Sequence, residues 1–136
     1  MYNDSKLISL AKSTANHAIA RYSKFKVGAA LETKNGSIFT GCNIESSSYG
    51  LTICAERVAF FKALSEGERE FNRLFLYTNT DNFCPPCGAC RQVIWDFAPN
   101  LEIVLINKKD EQKTNTISEL YPKAFGDNFF REKGKR

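Results

Sequence analysis

The order of elements predicts an α/β fold in three layers, α/β/α, with a mixed sheet between helices. Three observations carry this. A helical pattern opens the chain. Two extended apolar segments then flank Asn35-Gly36, and Asn-Gly is the strongest short-range hairpin signal. Beyond residue 54, helical and strand-like segments alternate, as they do in crossover units.

From Asp4 to Ala20, Leu7, Leu10, Ala11, Ala15 and Ala18 recur at helical spacing, with Asp4 or Ser5 as N-cap. Val27 to Thr33 and Ser37 to Ile44 read as the two hairpin strands. Cys54 to Glu66 reads as a buried helix stopped by Gly67, and Leu74 to Thr78 as a strand. Gly88 to Phe97 reads as a second buried helix closed by Pro99. Leu101 to Ile106 is another apolar strand, and Ile117 to Tyr121 a short helix halted by Pro122. No repeat or linker divides the chain. Residues 1–130 are therefore expected to form one domain, with 131–136 as a basic tail.

The chain has 136 residues, 43% of them hydrophobic and 25% charged, which supports a packed core and argues against disorder. No apolar run is long enough to span a bilayer. The start, Met1-Tyr2-Asn3-Asp4-Ser5-Lys6, lacks a basic and then apolar secretory pattern, so the expected location is the cytosol. Much of the net charge of +4 sits in Arg131-Glu132-Lys133-Gly134-Lys135-Arg136. No basic stripe with interleaved aromatics is visible elsewhere, which argues against a polynucleotide partner.

Five cysteines in a cytosolic chain point to metal or catalytic use rather than a disulfide scaffold. Cys54-Ala55-Glu56 is answered 33 residues after Cys54 by Pro86-Cys87-Gly88-Ala89-Cys90. Three thiolates can hold one Zn²⁺ and leave the fourth tetrahedral position open, which separates a catalytic zinc from a structural one. Glu56, two residues past the first ligand, is placed to handle protons without being a ligand. With each cysteine near a predicted helix start, dipoles and free N–H groups stabilise negative sulfur. Three thiolates and Zn²⁺ still sum to −1, so positive potential is needed, and Arg57 lies about one helical turn from Cys54. Arg91 and Gln92 are further candidates to support the ligands. A purely structural zinc would need a fourth protein ligand. His17, the only histidine, is far upstream and reads as a helix-surface residue. Cys84 precedes Cys87 by three residues, but Pro85 and Pro86 stiffen the path, which favours a bystander thiol. Cys42 reads as a small buried hydrophobe within a strand.

Four segments taken together resemble the small, homotetrameric cytidine deaminases. They are Tyr22-Ser23-Lys24-Phe25-Lys26-Val27-Gly28-Ala29-Ala30, Gly41-Cys42-Asn43-Ile44-Glu45, Cys54-Ala55-Glu56-Arg57 and Pro86-Cys87-Gly88-Ala89-Cys90-Arg91-Gln92. The likeness runs in order from about Tyr22 to Phe125. It implies a cytidine deaminase-like fold with five strands and one Zn²⁺ per subunit. It also implies active sites shared within a homotetramer.

By the same resemblance, Asn43 and Glu45 hold the ribose hydroxyls, and their alternation on an extended segment puts both side chains on one face. Phe25 is the aromatic wall of the pyrimidine pocket, the backbone of Ala55 binds the base, and Phe125 reaches a neighbouring subunit's site. For Phe25 and Phe125, simple core packing is the alternative. The implied reaction is hydrolytic deamination of cytidine and 2′-deoxycytidine to uridine and 2′-deoxyuridine in pyrimidine salvage. Glu56 would move protons between water, N3 and the departing 4-amino group. Pro85 and Cys84 depart from the family's usual residues before Pro-Cys, and the stretch from Thr80 to Phe83 is short and polar. A deaminase of modified cytosine nucleosides such as blasticidin S is the second reading. An editing deaminase would require a basic groove and a His ligand, and both are missing. A non-catalytic zinc module has no use for Glu56.

Overall fold

The computed structural model describes residues 3–130. The elements in chain order are α1 (Asp4–Ala15), β1 (Val27–Thr33), β2 (Ile38–Cys42), α2 (Ala55–Ser65), β3 (Phe71–Thr78), α3 (Gly88–Phe97), β4 (Glu102–Ile106), β5 (Gln112–Thr116) and α4 (Ile117–Leu120). Short 3₁₀ turns occupy Tyr49–Leu51 and Asp127–Phe130. The five strands form one sheet in the order β2-β1-β3-β4-β5. Only β3 and β4 pair in parallel, with α3 between them in the chain as the crossover. The expected mixed sheet is present. Among the described residues, no helix is long and apolar enough to cross a membrane.

Alternation along β1 divides the core in two. Ala30 faces one side with Phe75, Val104 and Ile106, where Leu7 and Ala11 of α1 pack. Ala29 and Leu31 face the other with Leu74, Leu76, Ile103 and Leu105, where Ala59, Phe60 and Ala63 of α2 and Ile94 of α3 pack. Phe75 and Phe60 are fully buried on opposite sides, and each such burial stabilises by about 1.5–3 kcal/mol. Two glycines set how closely the helices dock. A Cβ on Gly28 would lie 1.9 Å from the Ala11 carbonyl oxygen of α1. One on Gly41 would lie 2.4 Å from the Ala55 carbonyl oxygen at the start of α2.

The larger differences from expectation lie in α1, β2, β3 and β5. Helix α1 ends at Ala15 rather than Ala20, and its N-cap is Asn3, whose Oδ1 accepts from Lys6 N–H. The helical spacing of Ala18 is overridden by sheet-edge pairing. Ile19 N–H donates to the Asn43 carbonyl at 3.0 Å, and Glu45 N–H donates to the Ile19 carbonyl at 2.9 Å. His17 therefore lies exposed in the turn after α1, still far from a ligand role. Strand β2 ends at Cys42, and Ile44 beyond it bridges both Ile19 and Ile53. Strand β3 starts at Phe71, ahead of Leu74, because Phe71 and Arg73 continue the pairing with β1. Strand β5, Gln-Lys-Thr-Asn-Thr, is a mostly exposed polar edge strand with no apolar alternation to reveal it. The basic tail at 131–136 lies outside the described residues.

Candidate active site

Helices α2 and α3 aim their N-termini at one place. Cys54 is the N-cap of α2, Cys87 is the N-cap of α3, and Cys90 lies in the first turn of α3. Neither cap cysteine uses its side chain to satisfy helix N–H groups. The sulfurs turn to one another instead, with Cys54 Sγ 3.7 Å from Cys87 Sγ and Cys87 Sγ 3.5 Å from Cys90 Sγ. All three lie within 4.8 Å of one another. Tetrahedral zinc with bonds of about 2.3 Å sets its sulfurs about 3.8 Å apart, so this donor set fits Zn²⁺ in both chemistry and spacing.

The charges around the sulfurs fit as well. The Cys54 thiol is drawn down to about 5, first by a hydrogen bond from Cys90 and then by the Arg57 guanidinium, against the opposing effect of burial. Cys90, as the donor to Cys54 and by burial, is pushed up. Arg57 Nη2 reaches Cys54 Sγ at 3.6 Å, as its place one turn on predicts. Glu56 is 5% exposed. Burial first, and the negative Cys54 second, raise its carboxyl to about 7, while its backbone N–H, Cys90 and Arg57 oppose the rise. A carboxyl near neutrality is suited to both taking and giving a proton.

A cavity of about 260 Å³ opens over these groups. Cys54, Ala55, Glu56 and Cys87 line one part of it. Phe25, Val27, Ile53, Cys84 and Pro85 supply apolar walls. Ser23, Asn43, Glu45 and Thr52 make a second polar group. Asn43 is buried, donating from Nδ2 to the Phe25 carbonyl at 2.8 Å and accepting at Oδ1 from Val27 N–H at 2.9 Å. Glu45 Oε1 accepts from the N–H groups of Tyr22 at 2.9 Å and Ser23 at 3.0 Å, and its Oε2 accepts from the Ser23 hydroxyl. These bonds, led by the Ser23 hydroxyl, hold the Glu45 carboxyl below its usual range.

Residues 1–106 match the family of the cytidine and deoxycytidylate deaminase zinc-binding region. The chain belongs to this family. A cytidine deaminase of Sporosarcina psychrophila is 47% identical over 121 residues, covering 88% of this chain and 89% of that one. A cytidine deaminase of Halalkalibacterium halodurans is also 47% identical, over 120 residues, covering 88% of this chain and 91% of that one. Among solved structures, the cytidine deaminase of Burkholderia pseudomallei superposes with a TM-score of 0.88 at 45% identity, covering 91% of this chain and all of that one.

Within this family frame, the structure sorts the remaining candidates. Cys84 stays outside the three-sulfur cluster. Burial, and then the negative charges of Glu56, Cys54 and Cys87, push its thiol up to about 11, so it is a neutral wall of the cavity. Cys42 is half-buried, with its thiol raised by burial. Arg91 does not reach the sulfurs. Its Nε donates to the Pro86 carbonyl at 2.7 Å and its Nη1 to the Leu120 carbonyl at 2.5 Å, clamping the segment before Cys87 to α4. Gln92 also bonds away from the sulfurs. Its Nε2 donates to Asp96 Oδ1 at 3.2 Å and to the Phe125 carbonyl at 2.8 Å, and its Oε1 accepts from the Tyr121 hydroxyl at 2.6 Å. The reason is position: Gln92 follows Cys90 by more than half a helical turn, which rotates it toward the C-terminal segment. Phe125 is 51% exposed, stacks edge-on against Phe130 and does not line its own chain's cavity.

Sequence reasoning singled out neither Ser23 nor Thr52 as cavity residues. Ser23 has a legible signal, since a serine two residues before the wall residue suits a side-chain turn to the backbone. Its hydroxyl accepts from Phe25 N–H at 3.0 Å. Thr52 has none in the sequence. Its hydroxyl accepts from Ser46 N–H at 3.0 Å and so shapes the loop after Glu45.

Proposed function

We propose that this protein deaminates cytidine hydrolytically, with water entering at C4 and ammonia leaving. The observation that carries this reading is the near-complete burial of Glu56 beside the three-sulfur cluster, in the same cavity as Asn43 and Glu45. When bound by Cys54, Cys87 and Cys90, Zn²⁺ supplies a Lewis acid that lowers the pKa of a water in the open position. Arg57 offsets part of the negative charge of the thiolates. Glu56 takes the water's proton and passes it to N3 of the ring. It then takes the second proton from the oxygen now bonded to C4 and gives it to the 4-amino group, which departs as ammonia. Burial serves these steps by keeping bulk water from competing for the protons. Phe25 and Ile53 offer apolar surface to a flat ring. Asn43 and Glu45 face the sugar, and 2′-deoxycytidine meets the same groups through its 3′-hydroxyl. The product, uridine or 2′-deoxyuridine, places the enzyme in pyrimidine salvage.

The reading extends to a homotetramer with shared sites. Phe61, Phe97, Phe125 and Phe130 are large exposed apolar side chains on α2, α3 and the C-terminal turn, a pattern suited to subunit contact. Phe125 lies outside its own chain's cavity and is 51% exposed, as suits a residue that reaches a neighbour's site. A cytosolic location suits five uncrosslinked cysteines. Residues 1–130 would act as a single catalytic domain.

The test is ultraviolet loss of cytidine as uridine forms, on purified protein with its zinc measured, followed by molar mass in solution. Turnover with one zinc per subunit supports the reaction. No turnover of cytidine or 2′-deoxycytidine by zinc-loaded protein would sink it and turn attention to modified cytosine nucleosides. A monomeric mass with full turnover would remove the shared-site arrangement alone.

A further inference from the structure

Ser23 joins the carboxylate of Glu45 to the backbone of Phe25. Its hydroxyl donates to Glu45 Oε2 and accepts from Phe25 N–H at 3.0 Å. Its own N–H donates to Glu45 Oε1 at 3.0 Å, alongside that of Tyr22. Lys24, between Ser23 and Phe25, has φ of 61°, a left-handed conformation that a lysine keeps only where its surroundings impose it. The bonds to Glu45, together with Lys24 N–H to the Ala20 carbonyl at 3.0 Å, are those surroundings. Asn43 Nδ2 holds the Phe25 carbonyl from the other side. The aromatic wall is thus suspended from the two residues assigned to the sugar.

Both oxygens of Glu45 are held: Oε1 accepts two backbone N–H groups, Oε2 accepts the Ser23 hydroxyl, and the Asn43 side chain adds a further hydrogen bond to the carboxylate. Ser23 is the residue that bonds to both oxygens, so it sets the orientation of the carboxylate that a sugar hydroxyl would meet. We infer that Ser23 is a positioning residue that couples recognition of the sugar hydroxyls to the placement of the Phe25 wall. This rests on the nucleoside reading and deepens it. Ser23 has no contact with the sulfur cluster, so its effect is on binding rather than on proton transfer.

The experiment is a cycle of two substrates and three proteins. Cytidine and 2′,3′-dideoxycytidine are assayed with parent, Ser23→Ala and Ser23→Thr, with zinc content and thermal midpoint recorded for each. For Ser23→Ala, kcat/KM on cytidine is expected to fall about tenfold, through KM, as suits loss of one hydrogen bond to a charged group. On the dideoxynucleoside the fall is expected to be about twofold, because the hydroxyl that Ser23 helps to receive is already missing. Ser23→Thr keeps the hydroxyl and is expected to recover most of the loss. Equal falls on both substrates would overturn the coupling and leave Ser23 as a shaper of the turn only. No change on either substrate would overturn it as well. If Ser23→Ala folds poorly, Ser23→Cys, whose thiol is only a weak donor, takes its place in the same cycle, and equal falls on both substrates again overturn the coupling. Failure of the parent to act on cytidine would instead remove the nucleoside reading itself.

Discussion

At the sulfur end of the cavity, Cys54 and Cys87 cap two helices yet leave their side chains free of cap bonds, and Glu56 is sealed off beside them. At the end we assign to the sugar, Asn43 and Glu45 bond to the backbone of residues 22–27 from almost every polar atom they have. The first group is carried by rigid helices and keeps its chemistry uncommitted. The second belongs to loops and holds those loops in place. Loss of Glu56 should therefore remove chemistry from an intact fold, whereas damage at the other end should move a wall of the cavity.

The largest test of that contrast is Glu56→Gln, expected to lower kcat by about 10³-fold or more while zinc stays bound, since positioned proton transfer contributes up to about 10⁴-fold. Cys54→Ala is expected to lose zinc and turnover together. Metal analysis beside the ultraviolet assay reads both, and substantial turnover by Glu56→Gln would break the assignment.

Next is a pH effect on metal-free protein. Glu56 has a folded-state value of about 7 against an ordinary 4.5, so the folded chain binds its proton more tightly than the unfolded chain. Stability is then greatest below about 4.5 and falls as pH rises through about 7. Glu56→Gln cannot ionise and escapes this loss. It is expected to exceed the parent by up to about 3 kcal/mol above that window, at 1.36 kcal/mol per unit. Urea unfolding at pH 5 and pH 8 checks the sign, and a parent that gains on the variant as pH rises would contradict it.

The two docking glycines sharpen the contrast between faces of the sheet. Gly28→Ala and Gly41→Ala each force a helix outward and should destabilise by about 1–3 kcal/mol, as overpacking does. Only Gly41→Ala displaces the start of α2, which carries Cys54 and Glu56, so it alone should also lower kcat. Equal kcat losses from both, corrected for folded fraction, would show that the α1 face is not separable from the site.

The smallest expected effect is at the sugar end. Glu45→Gln should raise KM for cytidine about tenfold with kcat within a few-fold, because a neutral amide still fills the space but accepts less strongly. A kcat loss as deep as that of Glu56→Gln would erase the distinction between the two ends.

Much of this was legible from residue order. The Asn35-Gly36 hairpin, the two buried helices and the apolar strand after Pro99 each follow from local pattern, and the Cys-x-Glu and Cys-x-x-Cys spacings brought the sulfurs together before any coordinates. What escaped depends on tertiary partners. Strand β5 is polar and owes its pairing to β4 and the turn at Asn107, not to its own residues. Ala18 continues a helical period that the Ile19–Ile44 bridge interrupts. Arg91 and Gln92 sit beside a ligand in sequence but face α4 and Phe125 in space. Ser23 could be recognised as a turn residue, but its partner Glu45 lies 22 positions away.

The spacing of the three sulfurs also bears on how the chain stays closed. Cys54 and Cys87 are 33 residues apart and bracket α2 and β3. An ion held between them turns that stretch into a ring and denies the unfolded chain much of its freedom, by about 4 kcal/mol if a covalent cross-link of that span is the guide. A cell that ran short of zinc would lose a tether along with turnover, and limited proteolysis of loaded and stripped protein would show how far the ring had opened.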